Sequence, residues 1–419
     1  MLYYAIMTGI AVAGCLWAKV SRDKLKDSLP EESRKYRLAL ATGIIMSFLP
    51  LFLISALRWN VGTDTWHTYT PEYLAMKAEK TELSTEEKDI ILSCGRMNAS
   101  WDLGYSKERI EQLTYDECAA AFQSTAKHTA VGFQALQKFL LLFNADVQWL
   151  YVLTSFIILF FIYAAIWKQS SIPVLALLLF VLTSNFFLSL NIVSQFLAIS
   201  ICVFACTYAQ KRKPIPFFLL VALAACFHYS ALIFAPVYFL PKLRIRPIWC
   251  AISIGVVLLL AQFAYPLIAK AVEVFAPRYA WYLSQGAEFE WIFFAIGLTV
   301  FVAGSYYYPK GKDLPYYKLW YYANILGLFA LCFSGRIPNL KRINYYFAAP
   351  HFLFLPLMIR CEEHPVRKKI LYAAVIVLFL AETIVAVGYM NKNGVLPYQT
   401  MIGINKAALT EDLLLSMIN

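Results

Sequence analysis

The run Arg58-Trp-Asn-Val-Gly-Thr-Asp64 joins a guanidinium to a carboxylate through a single glycine, Gly62. A guanidinium grips phosphate oxygens with a two-pronged fork and stays charged. A carboxylate beside cations stays ionised and can accept a proton from a hydroxyl. Tyr69 follows closely. Further along, polar residues interrupt apolar sequence at Asn191 and Gln195, at His228-Tyr229-Ser230, at Arg278 with Tyr279 and Tyr282, and at Arg336, Lys341, Arg342, Tyr345 and Tyr346. Arg342 and Tyr346 are four apart, so a helix sets them on one face. The chemistry this composition suits is a charged, phosphorylated group held by Arg58, Arg278 and Arg342. Asp64 is then the first choice of proton acceptor and His228 the second.

Each residue also has a plainer reading. Arginines at a membrane edge often meet lipid headgroups. Asp64 can simply pair with Arg58, Asn191 and Gln195 can bond between helices, and His228 can be a satisfied polar packer. Glu382 lies inside an apolar segment, where a carboxylate is costly and often functional; bonding to a neighbouring helix is its plainer role. Tyr306-Tyr307-Tyr308 reads as an interfacial belt.

The elements that must position these residues are membrane helices. Of 419 residues, 60% are hydrophobic and 15% charged, with a mean hydropathy of +0.58. That composition predicts an all-α, polytopic membrane protein. Candidate spans are 2–18, 36–57, 147–167, 172–190, 192–209, 214–228, 229–241, 247–268, 290–308, 319–335, 343–359 and 370–389, or about 11–12 transmembrane or re-entrant helices. The net charge of +11 concentrates in short loops on one side, including Lys19 to Arg37, Lys242 to Arg246, Lys310 to Lys318 and Arg360 to Lys369. This is a topology signal rather than a nucleic-acid footprint. The first segment lacks a cationic leader and reads as an uncleaved helix.

Segments 214–228 and 229–241 are each short for a crossing. Taken as a hairpin they keep every basic loop inside and set His228 at a break near the outer leaflet; taken as one helix they reverse every later loop. The positive-inside rule favours the hairpin. The chain is then one membrane domain, 1–419, with an external helical loop, 58–146, between the second and third spans. Within that loop Gly132 to Phe143 is apolar but too short to span, and reads as interfacial or re-entrant. Cys94 and Cys118 share the loop and are candidates for a disulfide, whereas Cys202, Cys206, Cys226 and Cys332 lie in apolar helices. Asn98-Ala-Ser100 matches a glycosylation sequon. There is no HExxH, CxxC, GxSxG, Asp-x-Asp or Gly-rich phosphate loop, and the five histidines do not cluster, so no cofactor or metal is expected.

With these pieces in order, the chain resembles the EpsG family of Wzy-like bacterial polysaccharide polymerases. The resemblance is carried by Arg58-x-x-x-Gly62-Thr-Asp64 with Tyr69, Asn191-Ile-Val-Ser-Gln195-Phe-Leu-Ala198 and His228-Tyr-Ser-Ala231. Arg278-Tyr-x-x-Tyr282, Lys341-Arg342-x-x-Tyr345-Tyr346-Phe347 and Pro397-Tyr398 complete it. The family usually has Arg where this chain has Ser194, and its Tyr usually lies four residues after the Asp, not five. The stretch 71–130 is long for the family and reads as a lid.

The resemblance implies a GT-C-like fold with a groove open to the outer leaflet of a bacterial plasma membrane. The implied substrates are oligosaccharide repeat units on undecaprenyl diphosphate, polymerised into exopolysaccharide, capsule or O-antigen. A flippase and a chain-length regulator are implied partners. Binding roles then fall to Arg58, Tyr69, Gln195, Arg278, Tyr282, Arg336, Arg342, Tyr345 and Tyr346. Two other classes compete: an O-antigen ligase or single-addition glycosyltransferase, which makes no product ladder, and a flippase or transporter of lipid-linked glycans, which needs polar residues through the midplane.

Overall fold

The computed structural model describes residues 1–28, 30–101, 106–275, 288–337 and 340–401. Among them the only extended pairing is an isolated bridge between Arg58 and Thr400; the rest of the regular structure is helical. Six helices are long and apolar enough to cross a membrane: Leu2–Lys26, Glu32–Ala56, Gln148–Gln169, Val193–Gln210, Trp291–Gly311 and Pro365–Tyr389. Two bent pairs, Pro173–Leu182 with Asn185–Asn191 (53°) and Pro247–Ala261 with Tyr265–Ala271 (65°), raise the number to eight if each is one span. Shorter helices Pro214–Phe227, Tyr317–Cys332 and His351–Cys361 complete the bundle. The chain is an all-α polytopic membrane protein.

Besides the bend within 247–271, two of the expected spans are interrupted at residues that line one internal space. The segment 172–190 bends at Ser184, which is left-handed at φ 56, so the helix cannot continue through it. The segment 343–359 divides into Lys341–Ala348 and His351–Cys361 around Pro350, which has no N–H to offer a continuing helix. Both breaks bring polar residues to the same internal space.

The segments 214–228 and 229–241 do form a hairpin. The chain turns at His228 into a 3-10 run, Tyr229–Lys242, that packs back along Pro214–Phe227. The Arg212 guanidinium at the start of one arm donates to the Tyr238 carbonyl near the end of the other (3.3 Å), and the Phe217 ring lies 5.4 Å from that of Tyr238. The basic turns gather accordingly. Tyr316 N–H donates to Gln210 Oε1 (3.1 Å), Ile245 N–H to Tyr322 Oη (3.0 Å), and Lys310 pairs with Glu363 (3.1 Å). Loops 210–213, 243–246, 309–316 and 362–363 therefore share one end of the bundle. Asp64, Asn191, Ser194, His228 and Lys341 all lie at the other.

Between the second and third long helices the chain folds into short helices, of which Thr70–Ala78 and Thr85–Trp101 both pack on Tyr115–Ala126. The last begins with a capping box between Thr114 and Glu117, which satisfies two otherwise orphaned donors. Val131–Leu141 buries Phe133, Leu140 and Leu141 while exposing Val131 and Phe139, the two-faced pattern of a helix lying along a surface. It sits on Pro214–Phe227, where Gly132 leaves no room for a side chain: a Cβ there would lie 2.8 Å from the Cys226 carbonyl oxygen. Cys94 and Cys118 are buried and free; the Cys118 thiol packs against Gly95, where a Cβ would collide with it. Asn98 is likewise committed, its Nδ2 donating to the His67 carbonyl at 2.9 Å, so it is not a freely presented glycan acceptor.

Candidate functional site

The segment Arg58 to Asp64 is tied down on two sides. The strand-like tail after the last span runs beside it: Trp59 N–H donates to Gln399 O (3.0 Å), Gly62 N–H to Gly394 O (2.8 Å), Thr63 N–H to Asn393 O (3.2 Å) and Met401 N–H to Leu57 O (3.0 Å). Gly62 has φ +98, and a Cβ there would meet the Leu190 carbonyl at 2.5 Å, so only glycine fits this turn. The approach lets Asn191 Oδ1 accept from both Asp64 N–H (2.9 Å) and Thr63 Oγ1 (3.0 Å). Asn191 thereby fixes the backbone from which the Asp64 carboxylate projects.

Beside this turn lies a cavity of about 330 Å³ whose wall includes Asn191, Lys341, Arg342, Tyr345, Glu382, Lys392 and Asn393. The interrupted spans build it: Ser184 and Asn185 come from one break, and Asn344, Ala349 and His351 from the other. Three cations share the wall. Lys341 is paired with Glu290 (2.8 Å), and Lys392 lies 4.8 Å over the Phe293 ring. Arg342 is solvent-exposed and has no ion pair among the described residues. Glu382 lines the same cavity and accepts from Ser184 Oγ at 2.9 Å.

A second polar chain approaches Arg342 from behind. Gln195 Nε2 donates to the Arg342 carbonyl (2.7 Å), anchoring the helix that carries the guanidinium. The Ser194 backbone N–H donates to Tyr69 Oη (3.1 Å), while Ser194 Oγ lies 3.3 Å from His228 Nδ1. The charge of Arg342 acts on Tyr69, His228 and Tyr345, and that of Asp64 on Tyr69 and Tyr345. Burial, with the Asp64 carboxylate nearby, pushes the Tyr69 hydroxyl well above the ordinary tyrosine range. Tyr69 therefore keeps its proton and remains a donor.

The structure thus brings together Asp64, Tyr69, Gln195, His228, Arg342 and Tyr345. Others go elsewhere. Arg58, expected to hold a phosphorylated group, does not reach the cavity; it is 1% exposed, with its guanidinium 4.6 Å over the Tyr151 ring and bonded to the Ser55 carbonyl and to Ser155 Oγ (3.2 Å). The tail that pairs with residues 57–63 pulls it inward, and an aromatic face replaces its water. Tyr346 does not share a surface with Arg342: it is fully buried, with its hydroxyl 3.1 Å from Ser230 Oγ. Arg336 is exposed and outside the cavity wall. Arg278 and Tyr282 lie outside the described residues. Lys392 and Asn393 were not singled out from the sequence, because a lone Lys after a last span looks like any tail residue. Lys341, Asn191 and Glu382 were visible but carried no distinguishing spacing.

The EpsG family model matches residues 42–400, a stretch holding every group just described. The chain belongs to the EpsG family. The match runs from the second span through the tail strap, so the turn at Gly62, the hairpin at His228 and Lys392 are all parts of an EpsG-family chain. No curated protein and no solved structure matches the chain. The EpsG family is associated with polysaccharide polymerisation.

Proposed function

We propose that the chain polymerises undecaprenyl-diphosphate-linked oligosaccharide repeat units at the outer face of the bacterial plasma membrane. The observation that carries this reading is the gathering of Lys341, Arg342 and Lys392 on one cavity wall beside Asp64, at the bundle end opposite the basic turns. Positive loops belong on the cytoplasmic side, so the cavity faces outward. A lipid diphosphate has its charged group at that depth.

The residues divide the reaction between them. Lys341, Arg342 and Lys392 hold the donor's diphosphate and stabilise the charge that develops as it leaves. Arg342 is the chief of the three, because Lys341 is already paired with Glu290, Lys392 lies over the Phe293 ring, and only a guanidinium can grip phosphate oxygens with two prongs. Asp64 accepts the proton of the acceptor hydroxyl as that oxygen bonds to the donor's anomeric carbon. The bond from that carbon to the diphosphate oxygen breaks, and its electron pair departs with the lipid carrier. Tyr69 and Ser194, with His228 behind them, fix the geometry around Asp64. Holding two tethered substrates in one cavity supplies much of the acceleration.

The test is a lipid-reconstituted assay with a lipid-linked repeat unit, read as a product ladder. Arg342→Ala is expected to slow chain growth on the order of 100-fold, the scale of losing one charge-stabilising donor. Asp64→Asn is expected to slow it by a similar or larger factor, about 10²–10⁴. Near-normal ladders from both variants overturn the assignment. A single added unit in place of a ladder supports the ligase reading instead.

A further inference from the structure

A second cavity, of about 420 Å³, opens among the short helices of the external segment. It lies on the far side of the π-helical turn Thr65–Tyr69. Asp64 caps that turn and Tyr69 ends it, both in the reaction site, while His67 and Thr68 between them line the second cavity. One extra residue in a helical turn redirects side chains and recurs at functional sites. Here it gives one five-residue element two functional faces.

The chemistry of this wall differs from that of the first cavity. Its arginine, Arg109, is paired with Glu117 at 3.1 Å, so no unpaired guanidinium is presented to an anion. Glu72 is buried, and Thr129 Oγ1 donates to its Oε2 at 3.2 Å. Burial pushes its carboxyl up to about 7, so it can offer a proton as well as accept one. Asn98 donates through Nδ2 to His67 O, but its Oδ1 is buried with no protein partner. A buried acceptor left without a donor is costly, so a shift of this amide toward the cavity it lines would be favoured by pairing with a ligand hydroxyl. Phe122 adds an apolar patch. Paired charges, amide and hydroxyl groups and one aromatic ring suit a neutral, hydroxyl-rich ligand, and the volume falls within the usual range for small-ligand sites, about 300–1,000 Å³.

We infer that this second cavity is a saccharide subsite that holds sugars of the acceptor glycan beyond the reacting one, with Asn98 its central acceptor and the Thr65–Tyr69 turn linking its occupancy to the reaction site. This rests on the polymerase reading, which supplies a hydroxyl-rich glycan at this face.

The experiment uses the full-length protein in nanodiscs. The probes are inorganic pyrophosphate and the lipid-free glycan released by mild acid from the host's own polymer, cut to two or three repeats. Binding is followed by saturation-transfer NMR and calorimetry. Asn98→Ala and, independently, the cavity-filling Ala121→Trp are expected to weaken glycan binding at least 10-fold while leaving pyrophosphate binding unchanged. Arg342→Ala is expected to do the reverse. Two variants of opposite kind, one removing an acceptor and one only adding bulk, separate a lost site from a damaged fold; thermal melting and the pyrophosphate arm check the latter. Glycan binding that neither variant changes, or no glycan binding by a protein that still binds pyrophosphate, overturns the subsite and leaves the diphosphate site standing. Loss of pyrophosphate binding alone would count against the polymerase site and not against this one.

Discussion

Two arginines make the distinction between structure and chemistry concrete. Arg58 and Arg342 look alike in sequence, each next to an apolar segment and each with an aromatic residue within three positions after it. Arg58 is sealed against Tyr151 and two serines, so its charge is spent on the fold. Arg58→Ala should leave a buried gap and unpaired acceptors, costing on the order of 3 kcal/mol. Thermal melting in detergent is expected to show that loss, while pyrophosphate affinity of the surviving folded protein stays near normal. Arg342→Ala is expected to give the opposite pair of results. Glu72 offers a prediction of another kind. Burial raises its carboxyl from 4.5 to about 7, so between those values the folded chain holds a proton that the unfolded chain releases. Stability of the external segment should therefore fall as pH rises from about 4.5 through 7, by roughly 3 kcal/mol in total. Melting across that range is expected to show the slope in the parent and a flat profile in Glu72→Gln.

At the scale of elements, the site depends on interruptions more than on helices. The Gly62 turn, the left-handed Ser184, the reversal at His228 and the break at Pro350 each place polar side chains in or beside one cavity. Gly62→Ala forces a Cβ onto Leu190 O at 2.5 Å in a backbone conformation that alanine avoids. The expected cost exceeds about 1 kcal/mol. The larger expectation is catalytic: Asp64 and Asn191 separate, so kcat in the ladder assay should fall further than Tm does, and an unchanged kcat would refute the positioning role of this turn. The sequence made some of these interruptions legible and not others. His228 could be placed at a break because basic loops had to stay on one side. Ser184 could not, because nothing in Leu-Thr-Ser-Asn announces a left-handed residue. The tail strap was also hidden, since its pairing to residues 57–63 is made by backbone groups across more than 300 positions of chain.

The whole molecule has two unlike ends. One carries the basic turns held together by Gln210, Tyr322 and Lys310, and the other carries both cavities. The all-α membrane class was readable from composition, because apolar runs of helical length have few other uses. The clustering of Asp64, Tyr69, Gln195, His228, Arg342 and Tyr345 was readable only as a side of the membrane. Which of those residues touch the cavity depends on helix rotation, and in Lys341–Ala348 the three aromatic residues are consecutive, so they point in three directions and their spacing does not say which one faces the cavity. That is why Tyr346, four residues after Arg342, turns to Ser230 while Tyr345 takes the cavity wall. The external segment, read first as a lid, is a packed unit whose second cavity backs onto the reaction site through a single helical turn.

The most direct test is a cryo-EM structure of the full chain in nanodiscs with undecaprenyl diphosphate. The account predicts diphosphate density within hydrogen-bond reach of Lys341, Arg342 and Lys392, with the lipid tail leading out into the bilayer. A diphosphate bound instead among the basic turns at the opposite end of the bundle would contradict it.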